Sequence, residues 1–244
     1  MPLLDGLYPY EVLLAGAGIL LFVVVLFLFV RQVLAQKPYG GLLMFYFLSV
    51  VMIGWPSIQK VQIGEDSVSL EKNTTALQQN PKDAKLRETV ASQVRKMSGR
   101  PITDPGIATR IATAQLELGD PAASEATVDK VLAAAPKAAG PLEVKNRILL
   151  NKRLKDLTAK VEADPGNATA KTELKEVASS AAKVATANPD FVNTAAAAEL
   201  AIGNMAKAAE LNSKALVIDP NRTGAIQLRQ RIVLAKEQSA KGSK

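Results

Sequence analysis

A chain of 244 residues with 48% hydrophobic content and a formal charge of +7 has room for one or two domains. It contains neither cysteine nor histidine, which excludes disulfide frameworks, cysteine nucleophiles, Cys/His zinc sites, His-ligated haem and histidine acid–base catalysis. With no phosphate-binding glycine loop either, no catalytic residue, metal ligand or cofactor-binding residue is assigned, no cofactor is expected, and the chain does not read as an enzyme.

The apolar residues concentrate before residue 60. Val12 to Val30 carries no charged side chain, and neither does Gly40 to Ile58. At a rise of about 1.5 Å per residue, each run covers roughly 30 Å of hydrocarbon. Residues 1–59 are therefore expected to form a transmembrane hairpin, with helices at about 12–30 and 40–58 in contact with the lipid bilayer. A cleavable signal peptide is a poorer description, because Asp5 and Glu11 precede the first run where a basic region belongs. Arg31 and Lys37 lie between the runs, whereas the N-terminal flank has no basic residue and Lys60 is answered by Glu65 and Asp66. The positive-inside tendency then places both termini outside. In a bacterium this is a two-pass inner-membrane protein with its remaining domain in the periplasm. Tyr8, Tyr10 and Trp55 are expected at the outer interface and Tyr39 at the inner one. Ala15, Gly16, Ala17 and Gly18 offer a small-residue face for close helix packing.

Residues 60–68, with Val61, Ile63, Val68 and a Gly-Glu-Asp turn signal, predict a short extended connector. From 69 to 241 the chain reads as helices rich in Ala, Leu, Lys and Glu, interrupted by proline and glycine. The interruptions repeat. At an offset of 84 residues, Pro81 falls on Pro165, Pro105 on Pro189, Gly119 on Gly203, Pro136 on Pro220 and Gly140 on Gly224. Leu132 likewise falls on Leu216, Arg147 on Arg231 and Ile148 on Ile232. Shared punctuation means shared architecture, so residues 69–152 and 153–236 are read as two diverged copies. Helices are predicted near 69–79, 82–97, 105–118, 121–134, 138–163, 168–187, 190–202, 205–218 and 222–241. Asn80-Pro81, Asp104-Pro105, Asp164-Pro165, Asn188-Pro189 and Asp219-Pro220 mark expected helix starts. Stacking should join Leu116, Leu132, Ile148, Leu150, Leu200, Leu216, Ile232 and Leu234 in one continuous core, with 222–241 as cap and Lys236 to Lys244 as a frayed tail.

Within Pro189 to Pro220, small residues sit where two helices would approach: Ala196 on the first, Gly203 at the turn, Ala208 and Ala215 on the second. This hairpin resembles the tetratricopeptide repeat. Pro105 to Pro136 is similar, with Ala112, Gly119 and Pro136, but has Ser124 and Val131 where the family has alanines. The resemblance covers about 105–236 and implies a TPR-like α-solenoid with a groove that receives a protein or peptide partner; with the transmembrane hairpin read from the apolar runs before it, the expected class is all-α. In that family a clamp of Lys, Arg and Asn holds a C-terminal carboxylate. Asn193 stands near such a position, but Ala197 replaces the companion asparagine, so the clamp activity is not carried over.

The charge surplus belongs to residues 60–244, because Arg31 and Lys37 are balanced by Asp5 and Glu11. Few aromatics and no recognised motif accompany it, so no nucleic acid is expected. Lys145 and Arg147 recur as Arg229 and Arg231, a repeated basic ridge suited to an acidic partner or lipid headgroups. Together these features suggest a membrane-anchored scaffold or adaptor that supports assembly or partner recruitment at a membrane protein complex. The alternative is a permanent structural subunit packed through its hairpin.

Overall fold

The computed structural model describes residues 9–34, 40–100, 102–184 and 186–242. Its elements are ten α-helices: α1 (Pro9–Leu34), α2 (Gly40–Gln79), α3 (Ala84–Ser98), α4 (Pro105–Leu118), α5 (Pro121–Ala134), α6 (Ala139–Ala163), α7 (Ala168–Ala181), α8 (Pro189–Ala201), α9 (Met205–Ile218) and α10 (Thr223–Gly242). The chain is all-α and divides into two compact units, Met1–Asp66 and Ser67–Lys244.

In the first unit both apolar runs are helical, as α1 and the opening part of α2. Val25 and Ser49 are buried, and the rings of Phe22 and Tyr46 lie 5.2 Å apart. Around this narrow seam the apolar side chains are exposed, among them Leu20, Val23 and Phe27 on α1 and Met44, Phe47 and Val50 on α2. Among the described residues no helix is long and apolar enough to cross a membrane. Tyr8, Tyr39 and Lys37 lie outside the described residues, as do the side chains of Tyr10, Ala15 and Trp55.

The expected extended connector is helical instead. α2 runs without interruption to Gln79 and takes in 60–68 and the predicted helix 69–79. No proline follows Pro56 before Pro81, and Val or Ile lowers helix propensity by only a few tenths of a kcal/mol. Gly64 alone does not stop a helix that has favourable turns on both sides.

The second unit repeats its bounds. Starts at Ala84, Pro105, Pro121 and Ala139 recur at Ala168, Pro189, Met205 and Thr223, and ends at Gln79 and Ala134 recur at Ala163 and Ile218, every pair 84 apart. The caps recur too. Gly119 and Gly203 have φ of 90° and 87°, the left-handed region where a Cβ is strained. Their N–H groups donate to Leu116 and Leu200, and those of Asp120 and Asn204 donate to Gln115 and Glu199. Asp120 and Asn204 then cap α5 and α9 through Ala123 N and Lys207 N.

Proline has two uses here. Asp104-Pro105 and Asn188-Pro189 open α4 and α8, as expected. Asn80-Pro81, Asp164-Pro165 and Asp219-Pro220 do not start helices. They form turns closed by Asp83 N to Asn80 O, Asn167 N to Asp164 O and Arg222 N to Asp219 O at 3.1–3.2 Å, with proline in its favoured second place. The N-caps of α3 and α7 are Asp83 and Asn167.

The core is three clusters rather than one. The largest joins α6 to α10, one centres on Leu70, Leu77, Val90 and Met97, and one on Ala112, Leu116, Val128 and Ile148. Leu132, Leu150, Leu200 and Leu216 pack at the margins. Leu234 does not join them: it is 57% exposed. The expected frayed tail is helical to Gly242.

Candidate partner-binding surface

α7 ends at Ala181, six residues before its predicted end, because the segment that follows is captured by the core. Ala187 is fully buried in the cluster with Leu70 and Met97. Its N–H donates to Glu117 Oε2 at 2.6 Å, Thr186 Oγ1 donates to the same oxygen at 2.7 Å, and Arg87 donates to Ala187 O at 2.9 Å. Gln78 Nε2 and Arg147 donate to Glu117 Oε1 at 2.9 and 2.6 Å. Glu117 is fully buried and accepts four hydrogen bonds, from α2, α6 and the α7–α8 segment, which offsets the cost of burying its charge. Asn188 Nδ2 adds a bond to Leu116 O at 2.7 Å.

Gln78 and Thr186, held by Glu117, form one wall of a cavity of about 510 Å³. Phe191, Val192, Ala195 and Leu211 line its apolar part, and Lys183, Ser213 and Lys214 its polar part. Lys183 has no carboxylate partner among the described residues, whereas Lys214 is paired with Glu210 at 2.8 Å. A smaller cavity of about 260 Å³ shares Pro81 and Ile218 and contains Arg87. Burial pushes the Arg87 guanidinium below its ordinary value, opposed by the charges of Asp219 and Glu117. The larger volume lies within the range of about 300–1,000 Å³ typical of ligand clefts, and the smaller just below it. Among the described residues no cluster of acidic side chains has the spacing of a metal site.

The repeated basic residues do not form a ridge of available charge. Arg147 turns inward to Glu117, and its Nε is buried without a partner, one helical turn from the equally unpartnered Asn151 Oδ1. Lys145 pairs with Asp129 at 2.7 Å, a hydrogen bond that raises its pKa, and Arg231 pairs with Glu162 at 2.6 Å. Arg229 alone is exposed and without an ion pair among the described residues. Asn193 is half-buried, accepts a long bond of 3.5 Å from Asn212, and faces Gly224 at the start of α10. That is a helix-packing position. The same contact occurs 84 residues earlier, where Gly140 faces Thr109.

The chain matches no family model, no curated protein and no solved structure.

Of the small residues in α1, Gly18 makes the close approach: a Cβ there would stand 3.0 Å from Ile53 Cγ1 and 3.1 Å from Ile53 N. Gly16 has nothing within 4 Å, and Ala17 is exposed. Sequence reasoning missed Glu117, Thr186 and Lys183. The signal for Glu117 is a lone carboxylate three residues after Ala114 on the apolar stripe of α4, between Leu116 and Leu118.

Proposed function

We propose that the protein is a membrane-anchored scaffold or adaptor, with an N-terminal two-helix anchor and a tetratricopeptide-like domain that holds a protein partner at a membrane complex. The observation that carries this reading is the 84-residue recurrence of helix bounds, left-handed glycines and caps, which an internal duplication accounts for. Stacked helical repeats present extended surfaces suited to binding. In the cavity beside Lys183, an apolar side chain of a partner segment would enter and a carboxylate would meet the ammonium. The anchor is supported by the uncharged runs in α1 and α2 and by their outward apolar faces, with Leu13 73% and Met44 78% exposed. Helices apolar all round require lipid or protein around them. By the positive-inside tendency, the repeat domain lies in the periplasm.

The absence of cysteine makes the test direct. A Ser180→Cys variant, expressed in bacteria with a permeabilised outer membrane, should react with a membrane-impermeant maleimide while the protein stays in the membrane pellet after alkaline carbonate. Release by carbonate would remove the anchor from the reading. A mild-detergent pull-down of full-length protein beside a version lacking 1–59 then separates the two roles. Partners kept without the hairpin identify an adaptor; partners lost with it identify a structural subunit packed through its membrane helices.

A further inference from the structure

α6 and α10 begin 84 residues apart, at Ala139 and Thr223, and their opening turns are the best-matched stretch between the two copies. The inner stripe matches because both helices bury it: Val144 and Ile148 on α6, Leu228 and Ile232 on α10. Burial does not explain why the outer face matches as well. Leu142, Asn146, Leu149 and Leu150 recur as Ile226, Gln230, Val233 and Leu234. On α6, Leu150 is covered, packed against the cluster that contains Leu174 and Val177 of α7, and Asn146, Leu149 and Leu150 share a shallow cavity with Val177. Among the described residues nothing on α10 takes the place of α7: Leu234 is 57% exposed, while Ile226 and Val233, at 41% and 48%, are about as exposed as Leu142 and Leu149 of α6 at 38% and 47%.

We propose that the outer face of α10 docks an acidic amphipathic helix of a partner protein, lying across Leu234 as α7 lies across Leu150. Charge selects this occupant. α10 carries Arg229, Arg231, Lys236 and Lys241 against a single acid, Glu237. Arg231 is satisfied by Glu162, while Arg229 and Lys236 flank the apolar strip without ion pairs among the described residues. In the first copy Asp129 and Glu125 of α5 neutralise the matching Lys145 and Lys152; in the second, Ser213 and Ala209 stand at those places and leave the charges unanswered. Two α10 helices brought together would set like charges beside each other, which disfavours a second copy of this chain as the occupant. The contact is short, because Gln238 replaces Leu154 where α6 continues its apolar face. The surface is separate from the Lys183 cavity, and it stands or falls apart from the adaptor reading built there.

The test uses the chain's own α7 as template. A fluorescent peptide of residues 168–184 with Lys171→Glu, Lys175→Glu and Lys183→Glu is titrated into the full-length protein in mild detergent, beside a peptide with Glu173→Lys and Glu176→Lys. The acidic peptide should bind, and the basic one at least about tenfold more weakly. Leu234→Asp should weaken the acidic peptide about tenfold or more, since it removes the apolar centre of the contact. Arg229→Glu should weaken the acidic peptide and strengthen the basic one, a reversal that loss of folding cannot produce. A Lys183→Glu variant should bind the acidic peptide as the unaltered protein does. Equal binding of both peptides, no effect of Leu234→Asp, or self-association abolished by Leu234→Asp would overturn the proposal.

Discussion

Glu117 and Ala201 occupy matching places, 84 residues apart, at the ends of α4 and α8, yet one is a buried carboxylate that accepts four hydrogen bonds and the other a small apolar residue. The difference is positional. Glu117 stands where the first copy meets the second, tying Gln78, Arg147, Thr186 and Ala187 together. Ala201 makes no such junction among the described residues, and the buried carboxylate of that region, Glu199, accepts a local bond from Asn204. Two stretches can thus share backbone register and caps while their junction chemistry diverges.

The largest test of that contrast is to give the first copy the residue of the second. Glu117→Ala should lower stability by about 3 kcal/mol, because it leaves the largely buried Arg147 and the Ala187 N–H without acceptors. In urea unfolding of the full chain this appears as a lower midpoint, and in thermal unfolding as a loss of about 6–12 °C. Adding Arg147→Leu should recover at least about 1 kcal/mol, since an uncompensated charge costs more than a missing pair. A loss under about 1 kcal/mol for Glu117→Ala would mean the junction does not depend on this carboxylate.

A smaller effect separates two glycines that the register pairs. A Cβ on Gly140 would stand 2.5 Å from Thr109 Oγ1 and 3.1 Å from its Cγ2, whereas one on Gly224 would meet only Asn193 Nδ2 at 3.3 Å. Gly140→Ala should therefore destabilise by about 1–2 kcal/mol, and Thr109→Ala in the same chain should relieve it. Gly224→Ala should be neutral or stabilising by up to about 0.5 kcal/mol, because alanine is the better helix former. Equal losses at both sites would mean that the register does not place Thr109 and Asn193 as described.

How much could be read beforehand follows from the range of the interactions. α4, α5 and α9 fill the expected 105–118, 121–134 and 205–218, because each is bounded by its own aspartate or asparagine cap, proline or left-handed glycine. Local chemistry is visible in local sequence. α7 was expected to reach 187 and stops at Ala181, since what ends it is Glu117, 70 residues away in the Ala187 bond. The three prolines at 81, 165 and 220 carry the same local signal as those at 105 and 189. Only the carbonyl acceptors of the preceding residues distinguish a turn from a start. Arg147 and Arg231 look alike in sequence, and only the fold shows one turned inward to Glu117 and the other outward to Glu162. Leu234 has the spacing of a core residue and lacks only the neighbour that its counterpart Leu150 possesses.

The mildest contrast lies on the surface of α9, where Glu210 falls on Ala126 of the first copy. Hydrogen bonds from Lys214 and Lys207, reinforced by their charges, lower the Glu210 carboxyl from an ordinary 4.5 to about 2. A depressed acid stabilises the fold above its unfolded pKa and loses that contribution as pH falls through the folded one, so the relevant window runs from about 4.5 down to about 2. Because the group is exposed, salt should erase much of the shift: at 1 M ionic strength the screening length is about 3 Å, comparable with the bonds themselves. Carboxyl NMR should find the Glu210 midpoint near 2 in low salt and closer to 4.5 in 1 M sodium chloride. Glu210→Gln should flatten the fall in melting temperature between pH 4.5 and 3, while Ala126→Glu in the first copy, facing Lys130 but with Ala123 in place of Lys207, should acquire a weaker shift. A Glu210 midpoint at the ordinary value in low salt would show that the lysines do not hold the carboxylate in solution, leaving the two copies electrostatically alike on this face.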